Sequence, residues 1–366
     1  MLIIDSHEDL AWNMINLHRD YTQSMTQIRQ SEQGTGIPPF NGNTLLGWDV
    51  YQAGNVAIVF GTLYCAPCRL DKGKYPTQLY ETPQQAHVCY RENLDAYLRL
   101  TDEHPDKFHL LLNQSDLKGH IGNWQAHLKD PKAPSPPVGL VVLMEGAEGI
   151  RQPAEVEDWF NWGVRIIGPA WAGNQYCGGT REPGPLSKKG FELLEAMSAF
   201  NLVLDISHMD HQSARQALDA YDGAIIASHS NSEALISGIS INRHLKDETI
   251  EHLIERDGVM GIVPLNAFLD WNWRDHGGRN AVTLNDFVAQ IDHVCQIAGN
   301  THHVAIGTDF DGGFGVESVP QEIDSIADLA KLSPLLMKKG YNEDDLQRIF
   351  SGNWLRILQN NLPAYD

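Results

Sequence analysis

Short apolar runs ending in polar side chains recur along this chain. Met1-Leu2-Ile3-Ile4 leads into Asp5-Ser6-His7-Glu8-Asp9. Val138 to Met144 ends in Glu145, and Leu202 to Ser207 ends in His208. Ala224 to Ser228 ends in His229, and His303 to Thr308 ends in Asp309. Such runs, rich in Val and Ile, predict strands buried on both faces. Eight are expected, at 2–7, 54–61, 138–145, 164–169, 201–208, 223–229, 258–264 and 303–309. A ninth apolar run, 108–112, is placed outside this set.

Between the runs, apolar positions fall at helical spacing in 185–197, 211–221, 247–257 and 284–297. A last helix opens at Asn342-Glu343-Asp344-Asp345, whose acidic first turn suits the helix dipole. Strands alternating with helices predict a parallel sheet, and eight such units predict closure. The expected fold is therefore α/β, a TIM (β/α)8 barrel forming one domain over 1–366. The stretch 10–53 has no clear strand and is expected to be a long loop covering the strand ends. The proline-rich stretch 129–137 reads as an exposed connector.

Composition narrows the partners. The chain has 366 residues, 42% of them hydrophobic and 20% charged, which suits a globular protein with a large core. Its net charge of -20 repels phosphate backbones, so nucleic acid is not an expected partner. No secretory signal is expected before the first run, and no apolar stretch is long enough to span a bilayer. The expected location is the cytoplasm, with no membrane association. Five cysteines in a chain this long argue against a disulfide framework. Cys65-Ala66-Pro67-Cys68 is a lone CxxC without a second ligand pair nearby, and reads as ordinary loop cysteines.

Joint placement makes the polar run ends a candidate site. A charged or imidazole group ending a buried strand is costly unless paired or bound to a cation. In a closed barrel the C-terminal strand ends gather into one ring, where such folds keep their chemistry. His7 and Asp9, two residues apart, point the same way on an extended backbone. Imidazoles mixed with carboxylates suit zinc or a related transition ion, and three carboxylates supply the charge that two ions need. Glu145 is the candidate bridge between them.

These residues resemble the motifs of the renal (membrane) dipeptidase family, within the amidohydrolase superfamily. Asp5-Ser6-His7-Glu8-Asp9-Leu10 is similar to its DGHNDL signature, and Glu145-Gly146-Ala147-Glu148 to its EGG segment. Ser207-His208, Ser228-His229-Ser230 and Gly307-Thr308-Asp309-Phe310-Asp311-Gly312 resemble its later motifs, and Gly352-Asn353-Trp354-Leu355-Arg356 its GxNxxR end. The resemblance spans nearly the whole chain and keeps the motifs in order. It implies a metal-dependent barrel that hydrolyses dipeptides, often tolerating a C-terminal D-residue, and a homodimer. It implies two zinc-type divalent ions, one held by His7, Asp9 and bridging Glu145, the other by Glu145, His208 and His229. Asp309 would be the catalytic proton shuttle, and Arg243 would receive the substrate carboxylate.

Two positions depart from the family. Trp171 stands where its LTH segment has a histidine that polarises the substrate carbonyl, and Glu8 replaces an asparagine. Tryptophan can donate one hydrogen bond but carries no proton. Trp171 is read as a substrate contact or as a packed aromatic at the barrel mouth. The departures keep two alternatives open: a binuclear amidohydrolase acting on a non-peptide amide, lactone or phosphoester, and an inactive metal-binding scaffold.

Overall fold

Alternate residues of the longest strand enter two different cores, which fixes its place in the architecture. In the computed structural model, which describes residues 1–70, 75, 77–130, 132–236 and 241–364, that strand is Val138–Glu145. Val141 and Leu143 join an apolar cluster with Ile4, Phe60, Ile166 and Ile226 from other strands. Val138, Leu140, Val142 and Met144 join a larger cluster shared with the surrounding helices. The period of two along a strand makes the first cluster the inside of a barrel and the second its outer shell.

The barrel strands are β1 (Ile3–Glu8), β2 (Val56–Leu63), β3 (Val138–Glu145), β4 (Val164–Gly168), β5 (Val203–Asp205), β6 (Ile225–Ala227), β7 (Val259–Ile262) and β8 (Val304–Ile306). They pair in chain order, all parallel. At the seam the Asp309 N–H donates to the His7 carbonyl at 3.1 Å. Thr308 donates both its N–H, at 2.7 Å, and its hydroxyl to the Asp5 carboxylate. This is the expected barrel. The ninth apolar run lies off its path. Phe108–Leu110 pairs with the start of β3, along the edge that β4 takes further up.

The last four strands are shorter than their apolar runs. Ser207, His208, Ser228, His229, Thr308 and Asp309 lie beyond the ladders. His208 and Asp309 adopt left-handed backbone angles, with φ of 64° and 57°. Few non-glycine residues do so, and at strand ends such angles re-aim side chains.

The other mouth is closed by a C-terminal helix, Asn353–Asn361. Trp354 packs on Phe60 with ring centroids 5.5 Å apart and donates its indole N–H to the Ile306 carbonyl at 2.8 Å. Asn353 donates to the Thr301 and Val304 carbonyls at the start of β8. The closing motif is thus a plug for the barrel floor.

The stretch 10–53 is not a bare loop. It holds four short helices, Leu10–Asn16, Met25–Glu32, Ile37–Asn41 and Trp48–Gly54. Three of its residues, Trp12, Phe40 and Asn41, line the cavity at the strand ends. Asp311 fastens it down. Its carboxylate accepts from Leu45 N–H at 2.9 Å, Tyr21 hydroxyl at 2.8 Å and Thr44 hydroxyl at 2.5 Å. Arg19 pairs with Asp311 at 2.9 Å and with Glu32 at 2.7 Å, all fully buried or nearly so. Pro131 of the proline-rich connector lies outside the described residues.

Candidate metal centre

The opening strand carries an irregularity that decides where its side chains point. β1 advances three residues from Asp5 to Glu8 while β2 advances two, from Val59 to Gly61. One extra residue inverts the inside–outside phase. Ile4 lies in the interior cluster, and the Ser6 hydroxyl donates to the Ser228 and Ile306 carbonyls across the barrel. Beyond the bulge His7 and Asp9 face inward too, while Glu8 turns out to the Tyr51 hydroxyl. Glu8 therefore stays out of the ligand cluster, and burial pushes its carboxyl well above the usual range.

All six side chains singled out from the sequence meet at the C-terminal mouth. Glu145 is the centre. The Nε2 atoms of His7, His208 and His229 stand 3.4, 3.2 and 3.2 Å from its Oε1. Ligand atoms of three trios lie within 4.8 Å of one another: His7–Asp9–Glu145, Glu145–His208–His229 and His7–His229–Asp309. The first two share Glu145.

Hydroxyl groups hold the rings and take their other nitrogens. Ser228 Oγ is 2.8 Å from His229 Nδ1 and 3.3 Å from His7 Nδ1, and donates to Asp205 at 2.5 Å. Asp205 also accepts the Ser207 and Ser228 N–H groups. Thr180 Oγ1 is 3.0 Å from His208 Nδ1, and the Thr62 hydroxyl donates to Asp9. With Nδ1 engaged, each imidazole presents Nε2 to the centre, the arrangement expected of metal-binding histidines.

The electrostatics show what the protein alone leaves unresolved. Burial disfavours charge on His7, but Glu145, Asp9 and Asp309 outweigh it and raise its pKa to about 9. Burial, then Arg243, depresses His208 to about 4. Burial and the charge of Glu145 raise Asp9 to about 6. Burial drives Asp309 far up as well, with Asp9 and Glu145 adding to it against His7 and Arg243. Burial also opposes charge on Glu145, yet the three histidines hold its carboxyl well below the usual range. His208 Nε2 lies 3.0 Å from His229 Nε2, and His7 Nε2 is buried without a hydrogen-bond partner. Converging nitrogen lone pairs among crowded carboxylates suit divalent cations. The residues present fit such a group.

A sequence model of the membrane dipeptidase family, peptidase family M19, matches residues 1–362. The chain belongs to this family. Among its relatives, an uncharacterized protein from the pqqA 5' region of Klebsiella pneumoniae is 31% identical over 234 residues, 61% of this chain and 82% of that one. An uncharacterized dipeptidase of Schizosaccharomyces pombe is 29% identical over 212 residues, 55% of this chain and 47% of that one. The match thus spans about half the length of the yeast relative. An M19 dipeptidase of solved structure superposes with a TM-score of 0.76 at 21% identity, covering 100% of this chain and 99% of that one. A Rhodobacter sphaeroides metallopeptidase, solved with a phosphinate mimic of L-Ala-D-Ala, gives 0.77 at 20%, covering 99% of each. These likenesses establish the M19 barrel as the fold.

In this M19 chain a cavity of about 410 Å³ opens from the cluster to the surface. Both residues assigned to substrate from the sequence, Arg243 and Trp171, line it. Arg243 donates to the His229 carbonyl at 2.8 Å and lies over the Phe268 ring. Trp171 stands between Tyr64 and His208, with centroids 5.2 and 6.0 Å away. Sequence reasoning missed Thr62, Thr180, Asp205 and Ser228 as supports, and Arg181 as a cavity residue. Ser228 at least lay inside a motif already marked by its neighbour His229.

The CxxC cysteines take no part in the acid–imidazole trios. No helix among the described residues is long and apolar enough to cross a membrane.

Proposed function

We propose that this protein is a metal-dependent dipeptidase. The observation that carries the reading is the convergence of three imidazole Nε2 atoms on Glu145, beside Asp9, at the floor of a cavity containing a buried arginine. His7, Asp9 and Glu145 would hold one divalent ion, and Glu145, His208 and His229 a second, with zinc the best match to this donor set. When bound, such ions polarise an amide carbonyl and lower the pKa of water.

The chain's own groups do the rest. Asp309 takes the proton of the attacking water on its carboxylate and returns it to the leaving amine. The planar fork of Arg243 receives the substrate's terminal carboxylate. Trp171 offers one N–H to the carbonyl oxygen but moves no proton. Trp12, Phe40 and Phe268 keep water from the far side of the bound substrate. A site built around carboxylate and metal contacts accepts either configuration at the C-terminal residue. The site works in a homodimer in the cytoplasm.

Metal analysis of the purified protein, followed by L,L- and L,D-dipeptides beside lactones, non-peptide amides and phosphoesters, tests this. Two ions per chain and dipeptide cleavage are expected. Asp309→Asn should keep both ions and lower turnover by at least about a hundredfold. Wild-type turnover in that variant would remove Asp309 from its role. Trp171 favours a second reading, a binuclear hydrolase of non-peptide amides or esters. Activity confined to those substrates would support it, and full metal loading with no hydrolysis would leave a scaffold.

A further inference from the structure

The cavity holds more positive charge than one terminal carboxylate needs. Its wall contains two arginines, Arg181 and Arg243. Its acids, Asp9, Glu145 and Asp309, all belong to the ligand cluster. Arg243 is buried and braced there, and the dipeptidase reading already uses it. Arg181 has no part in that reading.

Arg181 lies between the strands of an antiparallel hairpin, Cys177–Gly179 and Glu182–Leu186. Its φ is 66°, a conformation uncommon outside glycine, and it is held by a specific contact. Asn242 Oδ1 accepts the Arg181 N–H at 2.9 Å, and Asn242 Nδ2 donates to the Gly179 carbonyl and to Asp210, both at 2.8 Å. Asn242 directly precedes Arg243. One amide therefore ties the hairpin tip to the segment that carries the other arginine.

The acid next in sequence is already engaged. Glu182 takes a two-pronged pair with Arg69, at 2.9 and 2.7 Å. Among the described residues no carboxylate pairs with the Arg181 guanidinium, although the chain carries an excess of acids. An exposed cation at the mouth of a cavity, held by a constrained backbone, is set up to meet an anion from solution.

We propose that Arg181 binds a second carboxylate and makes the site selective for dipeptides whose C-terminal residue is aspartate or glutamate. The proposal rests on the dipeptidase reading. The position follows from charge. Arg243 and Arg181 are joined through residue 242, so both face the carboxylate end of the substrate. The substrate's ammonium is repelled by both arginines and takes the other end of the cavity.

The test uses the purified metal-loaded protein and four substrates with an N-terminal alanine: alanyl-alanine, -aspartate, -glutamate and -lysine, each with L and D C-terminal residues. In low salt the acidic pair should exceed alanyl-alanine in kcat/KM by about tenfold. That advantage should shrink toward molar NaCl, because an exposed pair is screened. In Arg181→Met the ratio of acidic to neutral substrates should fall toward one, through KM. Arg181→Glu should favour alanyl-lysine. Equal wild-type rates on acidic and neutral dipeptides, or a ratio kept in Arg181→Met, would overturn the proposal. The salt series needs only wild-type protein, so a variant that misfolds leaves the test standing. Silence on every dipeptide, neutral ones included, overturns the dipeptidase reading and this selectivity together.

Discussion

The hydroxyl of Ser228 has one proton and several neighbours. It donates to Asp205, and so accepts from His229 Nδ1–H at 2.8 Å. His7 Nδ1 lies 3.3 Å away on the same oxygen. One small side chain thus orients two of the three imidazoles. Ser228→Ala should keep the fold but weaken metal affinity by about 10–100-fold, as loss of a ligand's hydrogen-bond partner does elsewhere. Chelator competition measures this, and unchanged affinity would mean the rings are held by packing. The ligands were legible because acids and imidazoles at the ends of apolar runs are chemically conspicuous. Thr62 and Thr180 were not, since a threonine near a strand end has many ordinary uses. The effect of replacing asparagine by Glu8 was also hidden. Its outward turn depends on a bulge that no residue type announces.

At the scale of elements, the covering segment is fixed by charge buried where strand β8 ends. Arg19, Glu32 and Asp311 form a chain of ion pairs with almost no solvent access. Arg19→Met would leave two acids facing each other without a cation. Breaking a buried pair in this way costs about 3–5 kcal/mol. A clear drop in the urea midpoint is expected, along with weaker substrate binding as the cover loosens. A midpoint unchanged from wild type would show that these buried pairs contribute nothing to holding the cover. The helices of this segment escaped sequence reading because they run only five to eight residues. Pieces this short are marginal alone and form through tertiary contacts. The strands were legible from their apolar runs, but overextended. A run such as 303–309 reads as strand past the point where Thr308 and Asp309 leave the ladder to serve the seam and the site.

Stability of the whole molecule in acid should register one residue far from the site. His120, on the helix Gln114–Lys129, is buried and bonded to the Ala57 carbonyl at 2.7 Å. Burial lowers its pKa to about 4, against the hydrogen bond to Ala57. Above pH 6.5 folded and unfolded chains are both neutral here, and the group has no effect. As pH falls from about 6.5 to about 4, the unfolded chain takes up a proton that the native state refuses. The native state then loses stability on the order of 3 kcal/mol across that window. His120→Gln should remove this part of the slope in urea titrations between pH 4 and 7. A difference between variant and wild type that does not change with pH would refute the assignment. The barrel itself was legible from eight alternating units. Closure was expected too, but the Asp5–Thr308 contact that makes the seam was not legible, because it joins residues 303 positions apart.

The extra residue in β1 has a consequence for anyone moving this centre into another scaffold. Copying Ile4 to Asp9 as a regular strand, with Ile4 kept inside, would leave His7 and Asp9 aimed at the helices. The transferable unit is the pair together with its backbone irregularity, and a graft that omits the irregularity inherits the letters without the geometry.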